Sequence, residues 1–126
     1  MANHNHKGRS KNGLRYVGLP HYLMQSPAYR ALSTNARALY CEFLFRYNGG
    51  NNGDIIMSVR MAANWIDCAS NTAVKAIGEL QVNGFIKLKS KGSFTFKHRH
   101  ASEWISTLHE YNGSSPTKDF MAWRKG

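Results

Sequence analysis

Apolar residues along this chain change their spacing several times, and each change marks an element. From Thr34 to Tyr47, the residues Ala36, Leu39, Tyr40, Phe43, Leu44 and Tyr47 recur at steps of three and four, the period of an amphipathic helix. NGGNNGD at 48–54 ends it with residues that tolerate positive φ, and Ile55, Ile56 and Met57 follow as a very short strand. Ser58 is placed to cap VRMAANWID, whose apolar side is Val59, Ala62, Ala63 and Trp65 or Ile66. After a tight turn at Cys68 and Ala69, Ser70 is expected to cap a further helix. Its core face holds Ala73, Val74, Ile77 and Leu80, and Asn83 and Gly84 mark its end. At Phe85 the spacing becomes two: Phe85, Ile86 and Leu88 open a strand, KGSFTFKHRHAS forms a basic connection, and Glu103 to Leu108 can return antiparallel. The register of this hairpin stays open, because FTFK can extend either strand or lie in the loop. Upstream, Pro20 opens HYLMQ and Pro27 opens AYRAL, two brief helical pieces with a cap near Ser26. Before about residue 18 the chain is polar, basic and interrupted by Gly8 and Gly13, the pattern of a flexible arm.

With 126 residues, 42% of them hydrophobic, the chain suits one domain with a modest core. The expected division is a basic arm at 1–17, a folded domain at 18–111 and a tail at 112–126, in which Phe120 and Trp123 can dock as a short helical turn. No apolar run approaches the roughly 18 residues a spanning helix needs, and the opening lacks the apolar stretch of a signal peptide, so a cytoplasmic protein without a membrane partner is expected. Cys41 and Cys68 lie far apart in apolar-periodic segments and suit reduced thiols. Charge alters the picture most. Seventeen Lys and Arg face seven Asp and Glu, a net +10, which favours polyanionic partners. The excess is local: residues 1–30 and 85–100 each hold five Lys or Arg and no acid, whereas between 31 and 84 the signs balance.

The order helix, short strand, helix, turn, helix, strand, loop, strand is that of a winged helix-turn-helix. SNTAVKAIGELQVNGFI at 70–86 resembles the recognition-helix segment of winged-helix bacterial regulators, with a polar first turn, small and aliphatic core positions, a helix-ending Gly and an aromatic that opens the wing. SPAYRALSTNARALYCEFLFRYNG, NNGDIIMSVRMAANWI and HRHASEWIST resemble small helix-turn-helix proteins of bacterial phages and plasmids, and the resemblance covers about residues 19–111. It implies an α+β fold, helices packed in a small bundle with a C-terminal β-hairpin wing. Relatives of this kind include transcription factors and replication-protein domains. Gly78 departs from the commonest pattern, where a longer residue is expected, at a cost of about 1 kcal/mol to the helix.

Placing residues at about 100° steps from Ser70 to Asn83 sets Asn71, Thr72, Lys75 and Glu79 opposite the core face. Lys75 can reach guanine O6 and N7 or a phosphate, and Asn71 can pair with adenine. The Ser70 and Thr72 hydroxyls, with the helix N-terminus, suit a phosphate. Lys87, Lys89 and Lys91 alternate along the next strand and make a lysine row on the side opposite Ile86 and Leu88. With Lys97, His98, Arg99 and His100 they form a basic wing able to lie on phosphates. About six to eight phosphate contacts per chain are expected, giving a slope of log affinity against log salt of about −5 to −7. Phe94 and Phe96 are placed to stack on bases.

Enzymatic chemistry has no visible machinery. The letters HNH at 4–6 are contiguous and lie in the arm, whereas a metal nuclease needs ligands that converge from a folded scaffold. His98 and His100 have no nearby carboxylate or cysteine, and no HExxH, CxxC, GxSxG or phosphate-loop sequence occurs. Neither cofactor nor metal is expected. The sequence points to a sequence-specific double-stranded DNA-binding protein, a transcriptional regulator of a bacterium or mobile element, able to act as a homodimer. A replication-initiation or origin-binding protein is the alternative of the same class. A protein–protein adaptor, whose wing binds an acidic partner, is the alternative of another.

Overall fold

Residues 14–90, 93–94 and 99–125 are described in the computed structural model, those at 90, 93, 94, 99 and 100 by their backbone alone. The expectations for the arm at 1–13, including HNH, and for Lys91, Phe96, Lys97 and His98 fall outside these residues.

Serine hydroxyls start three of the helices. In α1 (His21–Gln25) and α2 (Pro27–Arg30) the chain turns at Ser26, whose Oγ accepts from the Tyr29 N–H at 3.2 Å. Ser33 Oγ accepts from the Ala36 N–H at 3.1 Å and opens α3 (Thr34–Phe45). Ser58 Oγ accepts from the Met61 N–H at 3.1 Å and opens α4 (Val59–Ile66). Each bond satisfies an N–H that a helix start would otherwise leave without a partner. α4 ends at Asp67 in the left-handed region, φ 53°, and after Cys68 and Ala69 the chain enters α5 (Ser70–Val82). The strands are β1 (Ile55–Ile56), β2 (Ile86–Ser90), β3 (Ser93–Phe94), β4 (Arg99–His100) and β5 (Glu103–Ser106), and a 3₁₀ turn spans Asp119–Ala122.

The architecture is α+β: helices packed beside a three-stranded antiparallel sheet of order β1-β5-β2. β2 and β5 pair from Ile86↔Ser106 through Leu88↔Trp104, and the register shifts between Leu88 and Ser90. β3 pairs antiparallel with β4 in a two-stranded sheet of its own, with Phe94 opposite Arg99, and the rest of FTFK lies outside the described residues. Trp104 fastens this sheet to the helices by donating its indole N–H to the Met57 carbonyl at 2.9 Å.

α3 buries Ala36, Leu39, Tyr40, Phe43 and Leu44, the periodic set, against Ala73, Ala76, Ile77 and Leu80 of α5. Phe85 is the hub. Its ring lies 5.0 Å from those of Tyr40 and Phe120 and 6.3 Å from that of Tyr29. Burying such rings contributes about 1.5–3 kcal/mol each. Phe120, which comes from the segment after 111, is fully buried in this cluster, so the 3₁₀ turn packs on the same core as the helices. Gly84 makes that docking possible. At φ +88° it occupies a conformation that disfavours side chains, and a Cβ there would sit 2.7 Å from the Phe120 backbone nitrogen. Around it, Thr107 Oγ1 donates to the Gly84 carbonyl at 2.7 Å and Asn83 Nδ2 donates to the Ala28 carbonyl at 2.9 Å.

Several sequence expectations are corrected. Ser70 is the first helical residue of α5, and Ala69, with no hydroxyl to offer, holds the cap position. Val74 is 52% exposed and Ala76 takes its place in the core. The core face centres on Ala73, from which Val74 is rotated by about 100° and Ala76 by only about 60° the other way. Leu88 is 42% exposed, where the strand's register shifts between it and Ser90.

Candidate nucleic-acid interface

The tight turn after α4 sets the start of α5 in solvent. Ser70, Asn71 and Lys75 are exposed and Thr72 is half-buried, so all four expected residues lie on the first turn and a half of one helix. No side chain caps this end, in contrast to α2, α3 and α4. The N–H groups of the first turn therefore face solvent with the positive end of a 13-residue helix behind them. Exposed Arg60 lies in the first turn of α4. Ion pairs among the described residues engage Arg46, Lys87 and Lys89, whereas Lys75 and Arg60 have none.

Glu79 is not part of the outward polar face. Its carboxylate accepts from the Ser33 N–H and the Ser33 hydroxyl, both at 2.8 Å, and so braces the start of α3. The carboxylate nearest Lys75 along α5 is thus turned toward the start of α3.

The lysine row differs from the sequence expectation. Lys87 lies 3.4 Å from Asp119 of the 3₁₀ turn, and Lys89 lies 3.1 Å from Asp54, which precedes β1. Acids distant in the chain thus balance lysines that have no acid near them in sequence. The Asp54 hydrogen bond raises the Lys89 pKa above its ordinary value, which keeps the ammonium charged. Both lysines remain partly exposed and both pairs are open to solvent, which screens them and leaves each ammonium able to exchange its carboxylate for another anion. Arg99 and His100 are placed in β4, opposite Phe94 and Ser93, and Lys91, Lys97 and His98 lie outside the described residues.

The sequence missed Val74 and Arg60 on the exposed surface. Val74 sits at the rim of the helical wheel, where one residue's rotation decides burial. Gly78 was visible as a mid-helix glycine, and the structure adds that a Cβ there would meet no atom within 4 Å. No group of His, Cys, Asp and Glu among the described residues is arranged to hold a metal, and no helix among them is long and apolar enough to cross a membrane. Comparison with protein families, curated proteins and solved structures finds no match to this chain.

Proposed function

We propose that this chain is a winged helix-turn-helix protein that binds double-stranded DNA sequence-specifically, with α5 in the major groove and the β2–β5 hairpin on the flanking backbone. The observation that carries the proposal is the start of α5. There Asn71 and Lys75 are exposed, the N-terminus has no side-chain cap, and the adjacent acid, Glu79, is bonded to Ser33. An α-helix fits the roughly 12 Å width of the major groove. In that position the Lys75 ammonium donates to guanine O6 and N7, and the Asn71 amide both donates to adenine N7 and accepts from its N6. The first-turn N–H groups and the Ser70 hydroxyl meet a phosphate. Lys87 and Lys89 reach phosphates by exchanging one anion, a carboxylate of this chain, for another. The net +10 supplies attraction along the whole duplex.

Gene regulation in a bacterium or mobile element is the setting that suits such a protein, and origin binding uses the same interface. The test is selection of bound sites from a random duplex library, followed by competition with excess unrelated duplex. A consensus whose binding resists the competitor is expected, and a palindromic one points to a dimer. Binding without a consensus, readily displaced by competitor and by salt, would overturn the proposal and favour an acidic protein partner.

A further inference from the structure

The outward face of α5 carries apolar side chains among its polar ones. Val74 is 52% exposed and Val82 75% exposed, and they lie four residues to either side of Gly78. At about 100° per residue Asn71 and Gly78 fall on the midline of this face, with Val74 and Lys75 flanking it. Two valines more than half exposed leave apolar surface open to solvent at this spacing. Gly78 has no internal reason to be glycine. It lies in the helix interior, where glycine costs about 1 kcal/mol relative to alanine, and the space around it is open. An absent side chain at the midline lets the helix backbone come close to an external surface.

Charge complementarity selects the occupant. The face is edged by Lys75, which has no carboxylate partner, and begins at the positive, uncapped end of the helix, so the surface that covers it is anionic. A duplex groove is both anionic and, at thymine, apolar, because the C5-methyl group projects into the major groove. We infer that Val74 is a specificity-determining residue that packs on a thymine methyl group, with Gly78 giving α5 the clearance to reach it. This inference rests on the proposed DNA-binding function. Asn71 and Lys75 then read polar base edges beside a methyl group read by contact.

The experiment uses the full chain and the duplex obtained by site selection, in copies carrying deoxyuridine in place of single thymidines. Deoxyuridine pairs as thymidine does and lacks only the methyl group. For the wild type, one or two positions should lose about fourfold in affinity, the worth of one buried methyl group. In Val74→Ala the same replacements should have less than about a twofold effect. Val74→Ala lies on the surface and exchanges a β-branched residue for the best helix former, so the fold is retained. Gly78→Ala supplies an independent arm. It should raise the melting temperature, because the helix gains and nothing clashes within the chain, yet weaken binding to the selected duplex by at least about fivefold. A selected consensus with no deoxyuridine sensitivity at any position overturns the inference and leaves sequence-specific DNA binding standing. Failure to select a consensus overturns both. Gly78→Ala that binds as the wild type does removes the close approach.

Discussion

Ser33 and Glu79 show how one side chain serves two helices. Ser33 caps α3 through its hydroxyl oxygen, and the Glu79 carboxylate, arriving from α5, accepts from the same hydroxyl and from the Ser33 N–H. Glu79→Ala should therefore lower stability by about 1 kcal/mol, as the loss of a partly exposed charge-assisted cap does. Because it removes a negative charge from the proposed DNA-binding helix, duplex affinity should hold or rise. Denaturation and binding titrations of the same variant check the two effects separately. His109 makes a second residue-level case. Its ring stacks on Tyr47 at 3.9 Å, its Nδ1 lies 2.8 Å from Ser106 Oγ, and burial lowers its pKa to about 4. The unfolded chain takes up the proton near pH 6.5, so between about pH 6.5 and 4 it binds more protons than the folded chain does. Stability then falls as pH drops through that window and is constant with respect to this group above it. The loss should be about 1–2 kcal/mol, discounted for the solvent that reaches the ring. Denaturant midpoints of the wild type and His109→Phe across pH 4–8 measure it, and the variant should lack this component.

At the scale of elements, local signals in the sequence mark the helices well and partners distant in the chain poorly. α3, α4 and α5 follow the apolar period, and the caps expected at Ser26 and Ser58 use their hydroxyls, whereas the Ser33 cap went unread. The alternation after Phe85 marks the outgoing strand, and Glu103–Ser106 returns antiparallel to it. Val74 escaped because the centre of a helix's buried face is set by three-dimensional neighbours, and a rim residue is decided by small rotations. The cap at Ser70 failed because the turn after Asp67 delivers the chain one residue earlier than the serine suggests. The ion pairs of β2 escaped because Asp54 and Asp119 come from elements that the fold, and no local pattern, brings alongside. These pairs change the salt dependence expected of the wing. A lysine that leaves a carboxylate for a phosphate releases fewer counterions than a free one, so the slope should be nearer about −3 to −5 than the −5 to −7 expected of about six to eight contacts by free cations. Asp54→Asn frees Lys89 and should steepen the slope by up to about one while tightening binding at low salt. Salt titrations of the two proteins on one duplex test this. An unchanged slope would remove Lys89 from the phosphate contacts.

At the scale of the whole molecule, the charge excess and the recognition face serve different purposes in the proposed complex. Distributed cations attract any duplex and steer encounter, whereas selection among duplexes requires side chains that reach base edges. The core supports this division by holding α5 rigidly along one side. Ala73, Ala76, Ile77 and Leu80 are buried against the bundle, Asn83 is bonded to Ala28, and Phe85 is held between Tyr40 and Phe120. The opposite face is thereby presented at a fixed angle. The central claim is that this face reads sequence. Its most direct test measures the affinity of the wild type, Asn71→Ala and Lys75→Ala for a selected duplex and for a random duplex of equal length at one salt concentration. Each substitution should cost about 1–3 kcal/mol on the selected duplex and much less on the random one. Equal losses on both duplexes, or no loss from either substitution with the fold intact, would contradict the claim.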